Sequence, residues 1–369
     1  MGKWEMVQLG DIVDIINGRS HRAVANPKGI YPIYGSGGVM GYADDYICEK
    51  DTVVIGRKGT INSPIYVGEP FWNVDTAFGL RPNENKIFPK YLYYFCEEFD
   101  FENINTTVTI PSLTKSNLSK VQIPLPPLSI QQKIADVLDH ASALIQKRKA
   151  QIEKLYLLMR MQFITMFGDM VVNALGWDVK RLDQIADSRL GKMLDTKRQT
   201  GKNSYPYLAN FNVQWFRLNL EKLNEMDFDE VDRVEFSLKY GDLLVCEGGE
   251  VGRSAIWKNE KQDCFFQKAI HRVRCKAGIC VPEYLAWVMF QKATTTNFDG
   301  LVTSATIAHL TGEKLKGLMI QVPPLDRQNI FAEFVRQVDK SKLELQHGLN
   351  KLELLYKSLM QKYFHGEMF

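Results

Sequence analysis

Apolar side chains recur at steps of three and four along two separate stretches of the chain. In the first, Ile134, Leu138, Ala141, Ile145, Ile152, Leu155, Met159 and Met166 keep one register, with polar Arg148 and Gln162 filling two of its places. In the second, Phe331, Leu345, Leu349, Leu352, Tyr356, Leu359 and Tyr363 repeat that register, interrupted by Lys342. Such steps place residues on one face of a helix, and a face sustained over several heptads predicts coiled-coil packing. A Pro-Pro pair precedes each stretch (Pro126-Pro127 and Pro323-Pro324) and supplies a helix start, since proline lacks an N–H that the first turn would leave unpaired. At 1.5 Å per residue each helix would reach roughly 50–60 Å. The two seams either satisfy each other or lie each on its own domain, and matched apolar registers in two copies favour the pair.

The pattern elsewhere is of another kind. Residues 5 to 123 and 178 to 320 carry short β-branched and aromatic runs broken by Gly, Asn and Pro, which predicts strands with only short helices. These two regions also repeat one another. Trp4, Leu9 and Ile12 recur at the same spacing as Trp177, Leu182 and Ile185. Lys50-Asp-Thr-Val-Val-Ile-Gly-Arg57-Lys-Gly-Thr60 parallels Tyr240-Gly-Asp-Leu-Leu-Val-Cys-Glu-Gly-Gly-Glu-Val-Gly-Arg253, each an apolar run entering a Gly and Arg turn. Pro89-Lys-Tyr-Leu92 matches Pro282-Glu-Tyr-Leu285, and Pro126-Pro-Leu-Ser-Ile-Gln131 matches Pro323-Pro-Leu-Asp-Arg-Gln328. A repeat of this length sets the whole architecture: mixed domain, long helix, mixed domain, long helix.

Composition narrows this only a little. A chain of 369 residues is too long for one ordinary domain. With 45% hydrophobic and 24% charged residues it reads as globular rather than disordered. The net charge of +3 leaves any nucleic-acid surface to local clustering. Six cysteines form no CxxC pair and the histidines are scattered, so the expectation is reduced thiols in the cytoplasm and no metal site. No run approaches the length of a membrane span.

The joins to the helices carry a resemblance. Thr109-Ile-Pro-Ser-Leu113-Thr-Lys-Ser-Asn-Leu118 leads through Ile123-Pro-Leu-Pro-Pro-Leu128 to Gln131 and Ile134. Gly300-Leu-Val-Thr-Ser-Ala-Thr-Ile307 leads through Leu315 and Ile320-Gln-Val-Pro-Pro-Leu325 to Gln328. With Tyr31-Pro-Ile-Tyr-Gly-Ser-Gly-Gly-Val-Met-Gly41, these make the chain resemble the specificity subunits of type I restriction-modification systems over essentially its full length. One departure is Ser129-Ile130 and Asp326-Arg327 before the helix glutamines, where the family often has acidic residues.

The resemblance implies an α+β fold in which two pseudo-repeated target-recognition domains are joined by two long helices forming an antiparallel coiled coil. The expected boundaries are 1–128 and 169–325 for the recognition domains, and 129–168 and 326–369 for the helices. It implies a binding protein for double-stranded DNA with a split, asymmetric target, one half-site per domain, the helix pair holding the domains apart. Two methyltransferase subunits would dock on the helices and restriction subunits would join through that complex. No membrane is involved.

Base reading needs forked or amide groups at base edges, while affinity needs Lys and Arg on phosphates. In the first domain the candidates are Arg19, His21, Arg22, Ser36, Arg57, Lys58 and Thr60, with Gly35 to Gly38 allowing close backbone approach. In the second they are Arg189, Lys192, Lys197, Arg198, Asn210, Asn212, Gln214, Arg217 and Arg253. Arg19-Ser-His-Arg22 corresponds loosely to Arg189-Leu-Gly-Lys192. Trp4, Trp72 and Trp177 read as core rather than as stacking platforms. Lys147-Arg-Lys149, Lys154 and Arg160 are either a phosphate track or a solvated helix face.

No catalytic residue and no cofactor is expected. The sequence has no GxxxxGK[ST] loop and no Asn-Pro-Pro-Tyr-like motif with a glycine-rich turn. Glu97-Glu98 has no partnering Lys at nuclease spacing, and Cys48 and Cys246 have no His-centred constellation. The competing readings are a methyltransferase or nuclease fused to its own reader, a scaffold that only clamps partners, and the reader of a related adenine methyltransferase system without restriction activity.

Overall fold

A computed structural model of the chain describes residues 4–105, 107, 110–170, 172–195, 199–296, 298, 309–365 and 367. It divides into two compact units, Met1–Gln151 with Leu345–Phe369, and Ile152–Glu344.

Unit 1 runs β1 (Met6–Gln8), β2 (Val13–Asn17), β3 (Tyr31–Gly35), β4 (Gly38–Ala43), β5 (Thr52–Gly56), β6 (Ile65–Val67), β7 (Trp72–Asn73), β8 (Ala77–Pro82), α1 (Pro89–Glu98), α2 (Lys115–Ser119), β9 (Gln122–Pro124) and the long α3 (Leu128–Phe167), whose second half enters unit 2. Its main sheet has the order β2-β8-β5-β6, a smaller sheet the order β4-β3-β7, and β1 pairs with β9. Strand β5, Thr-Val-Val-Ile-Gly, is buried at every position, as an apolar run inside a sheet should be. Helix α1 starts on Pro89 and lays Tyr91, Leu92 and Phe95 on the core with Ile134 and Leu138 of α3.

Unit 2 repeats the plan: β10 (Asp178–Arg181), α4 (Leu182–Ile185), β11 (Ala186–Leu190), β12 (Ser204–Leu208), β13 (Val213–Gln214), β14 (Arg217–Leu218), β15 (Asn224–Asp227), α5 (Glu230–Glu235), β16 (Leu243–Cys246), β17 (Ser254–Ile256), β18 (Phe265–Phe266), β19 (Ile270–Cys275), α6 (Pro282–Thr295), α7 (Gly312–Lys316), β20 (Met319–Val322) and α8 (Leu325–Phe364), whose second half belongs to unit 1. The main sheet is β11-β19-β16-β17, the smaller one β15-β12-β18, and β10 pairs with β20. The short parallel pair of each small sheet, β3 with β7 and β12 with β18, recurs as well. The additions are the β13-β14 hairpin and α5, which account for the longer second copy.

The seams read from sequence are the packed faces. In unit 1 Ile134 and Leu138 at the start of α3 share a core with Met360, Tyr363 and Phe364 at the end of α8. In unit 2 Met159, Phe163 and Phe167 at the end of α3 share a core with Phe331, Val335 and Val338 at the start of α8. The pairing is antiparallel in each. Helix α3 holds no Gly or Pro and stops at Gly168, whose φ of +77° marks a left-handed cap. No described helix is long and apolar enough to cross a membrane. The six cysteines are unpaired thiols, and burial pushes Cys48 and Cys264 up to about 12.

A candidate nucleic-acid interface repeated in both units

Each unit gathers three loops around one tight turn, and the two arrangements match bond for bond. In unit 1 the turn Asn73 to Thr76 is the hub: Arg19 N–H donates to Asn73 O (2.8 Å), Val74 N–H to Tyr34 O (3.0 Å), and Arg57 N–H to Thr76 O (2.8 Å). Leu113 N–H then donates to Arg57 O (2.9 Å) and Gly18 N–H to Ala77 O (3.2 Å). In unit 2 the turn is Phe266 to Ala269: Lys192 N–H donates to Phe266 O (3.1 Å), Gln267 N–H to Leu208 O (3.1 Å), and Glu247 N–H to Ala269 O (2.8 Å). Leu310 N–H donates to Glu247 O (2.7 Å) and Gly191 N–H to Ile270 O (2.9 Å). Backbone bonds of this kind are blind to side chains, so the frame persists while the groups it displays change.

Glycine is required where the first loop meets the turn. A Cβ on Gly18 would sit 1.8 Å from Val74 O, and one on Gly191 would sit 2.4 Å from the Gln267 carbonyl. These glycines fix the true register, in which Arg19 corresponds to Lys192. The looser sequence matching of Arg19 with Arg189 is corrected: Arg189 lies inside β11, opposite Arg272.

The frame brings several expected residues together. Arg19 is exposed, and its carbonyl accepts from Trp72 Nε1 (3.1 Å). His21, half-buried, and Arg22, exposed, follow on a turn closed by Ala25 N–H on His21 O (2.9 Å). Ser36 abuts Gly56, where an added Cβ would lie 3.0 Å from its own Cβ. Arg57, Lys58 and Thr60 are exposed, with the Arg57 guanidinium 5.7 Å from the Phe78 ring centre. Together these form a basic cluster on one loop set.

In unit 2 the expected cations are more occupied. Lys192 is ion-paired with Asp232, donates to Asp227 O (2.6 Å) and lies 4.9 Å from the Phe228 ring centre. Arg189 is ion-paired with Glu235 over the Phe236 ring. Asn210, next to Gly249, donates to Gly248 O (2.9 Å) and its carbonyl accepts from Arg253 Nη2 (2.9 Å). Asn212 is fully buried, with its amide on Asn219 O and Lys222 O (both 2.8 Å), so it shapes a loop without reaching solvent. Gln214 donates to Phe211 O (2.9 Å), and Arg217 is exposed on β14. Lys197 and Arg198, with Gly300 to Ile307, lie outside the described residues. Trp72 is buried and Trp177 donates to Phe167 O (2.9 Å).

Three frame residues escaped the sequence reading: Asp75, Glu247 and Lys268. The signal was available in the alignment of Phe71 to Phe78 with Cys264 to His271, but those segments share almost no side chains, and only the backbone bonds reveal their equivalence.

Two copies of one mixed α/β module, each joined to a long helix and each displaying unlike side chains on a shared frame, define a duplicated two-module protein. The model of the type I restriction modification DNA specificity domain matches residues 1–154 and 175–354, and the chain belongs to that family. A putative type I restriction enzyme specificity subunit of Haemophilus influenzae is 23% identical over 94% of this chain and 90% of its own length. The EcoBI specificity subunit of Escherichia coli is 22% identical over 92% of this chain and 78% of its own. Among solved structures, the type I restriction-modification S subunit from M. genitalium superimposes with a TM-score of 0.64 at 16% identity, covering 98% of this chain and 96% of that one. A second, from a study of the assembly of a type I system, gives 0.60 at 16% identity over 100% of this chain and 98% of its own. Both likenesses speak to the fold.

Proposed function

We propose that the chain reads a split, asymmetric DNA sequence, one half per module, and directs a partner methyltransferase and restriction subunits to it. The observation that carries this reading is the shared backbone frame with different side chains on it. A frame built twice presents loops to two similar surfaces, and unlike side chains at equivalent places make the two preferences differ. Arg19, His21, Arg22, Arg57 and Lys58 supply cations in the first module, with Arg217 and Lys268 exposed in the second. Ser36 and the exposed Thr60 add neutral hydrogen-bonding groups, while Asn210, its amide held on Gly248 O, shapes its own loop in the second module.

The helix pair supports a role in assembly. Leu157, Leu158 and Met161 on α3 are 53%, 47% and 58% exposed, and Leu354 and Leu355 on α8 are 72% and 55% exposed. Rows of large apolar side chains outside a filled seam suit partner subunits, here two methyltransferase chains. On this reading the chain supplies recognition and its partners the chemistry.

The test is genome-wide methylation mapping in cells expressing the chain with a cognate methyltransferase, compared with cells lacking the chain. A split, asymmetric motif that depends on the chain is the expected result; methylation that is unchanged by deleting the chain would refute the reading. Repeating the comparison without a restriction subunit separates a full restriction system from a methylation-only one. Turnover of S-adenosylmethionine by the purified chain alone on DNA would place the chemistry in this chain instead.

A further inference from the structure

At the most closely matched point of the two frames the chemistry is inverted. Arg57 and Glu247 leave the ends of equivalent strands β5 and β16, each held by the same pair of backbone bonds, N–H to the hub turn and O to Leu113 or Leu310. Beneath Arg57 lies the Phe78 ring. The place equivalent to Phe78 in unit 2 is His271, paired across the sheet with Val245 as Phe78 is with Ile55, and His271 feels the Glu247 carboxylate electrostatically. The hub turn inverts as well, with exposed Asp75 in unit 1 where unit 2 has exposed Lys268. Two positions have thus exchanged sign on one backbone.

Resting on the proposed DNA-reading function, we infer that Arg57 and Glu247 are base-reading residues of the two half-sites: Arg57 donates to a guanine edge, and Glu247 accepts from the exocyclic amine of cytosine or adenine. A guanidinium fork matches guanine O6 and N7, whereas a carboxylate has nothing to donate and is met in the major groove by an amine. A carboxylate on a DNA-facing loop is repelled by phosphates, so its placement there follows from a base contact rather than from backbone affinity. His271 is a positioning residue. It is 1% exposed, and its Nε2 has no hydrogen-bond partner among the described residues. It flanks Glu247 where module one has only the apolar Phe78.

The experiment is selection of bound sequences from a randomised double-stranded DNA pool by the purified full-length chain, comparing wild type, Arg57→Gln and Glu247→Gln. Wild type is expected to select a two-part motif; selection of no motif would overturn the DNA-reading function itself. Given that motif, Glu247→Gln should lose discrimination at one C- or A-bearing position of one half, by roughly 5- to 150-fold, with the other half intact. Arg57→Gln should do the same at one G-bearing position of the opposite half. Unchanged motifs, changes in both halves at once, or weakening that is uniform across sequences would overturn the inference while leaving the general function standing. Thermal unfolding of each variant accompanies the selection, and Glu247→Ser, read the same way, stands in where Glu247→Gln lowers the midpoint.

Discussion

Gln131 and Gln328 make the same three hydrogen bonds in the two halves of the protein. Gln131 Oε1 accepts from Phe88 N–H (2.7 Å) while its Nε2 donates to Lys86 O (3.0 Å) and Pro126 O (2.7 Å). Gln328 Oε1 accepts from Val281 N–H (3.0 Å) while its Nε2 donates to Ile279 O (3.1 Å) and Pro323 O (2.8 Å). Both side chains are fully buried. Phe88 and Val281 are the N-caps of α1 and α6 and offer no side-chain cap, so each glutamine satisfies an orphan amide of a helix start in its module while anchoring the first turn of a long helix. Replacing either by Ala strands one donor and two acceptors in the core. The expected loss is roughly 2–4 kcal/mol, measured by urea unfolding of the full chain, and Gln131→Ala should lower the transition of the first module more than that of the second.

The frame glycines make a sharper demand than composition suggests. Gly18→Ala forces the Arg19 loop away from Val74 O, where the added carbon would lie 1.8 Å away. Binding to the half-site of module one should fall by at least about 10-fold, about 1.4 kcal/mol, in a titration with labelled duplex. Binding equal to wild type would show that the loop tolerates displacement.

Burial holds the His271 imidazole below its ordinary value of 6.5. The unfolded chain therefore takes up this proton first, and module two loses stability as pH falls below the unfolded value, until the folded group titrates in turn. Urea midpoints taken at about pH 7.5 and about pH 5.5 should show this loss. His271→Phe, which installs the residue found at Phe78, should flatten it.

The exposed leucines of the long helices separate assembly from folding. Leu157→Glu and Leu354→Glu, at side chains 53% and 72% exposed, should shift unfolding by no more than about 0.5 kcal/mol. Co-purification of the methyltransferase partner should nevertheless drop severalfold. Full retention of the partner by the double variant would move the docking surface elsewhere.

Much of the architecture was legible because it rests on periodicity. The apolar registers of Ile134 to Met166 and Phe331 to Tyr363 need only helical geometry to be read, and the Pro-Pro pairs mark their starts at Leu128 and Leu325. The site was legible only in part. Arg19, Ser36 and Arg57 announced themselves as polar groups beside glycines; Asn212 was chosen only as an amide able to meet a base, and that amide is consumed by Asn219 and Lys222.

The sequence by itself determined the duplication and the two helices, since both are written in spacing along the chain, and the motifs at its two helix joins carried the resemblance to the family. Only the tertiary structure decided which residues are equivalent. Lys192 stands where Arg19 does, and Glu247 where Arg57 does, because backbone hydrogen bonds from distant loops, rather than neighbouring side chains, fix those places. Such bonds leave no mark on residue identity except where, as at Gly18 and Gly191, two backbones approach too closely for a Cβ.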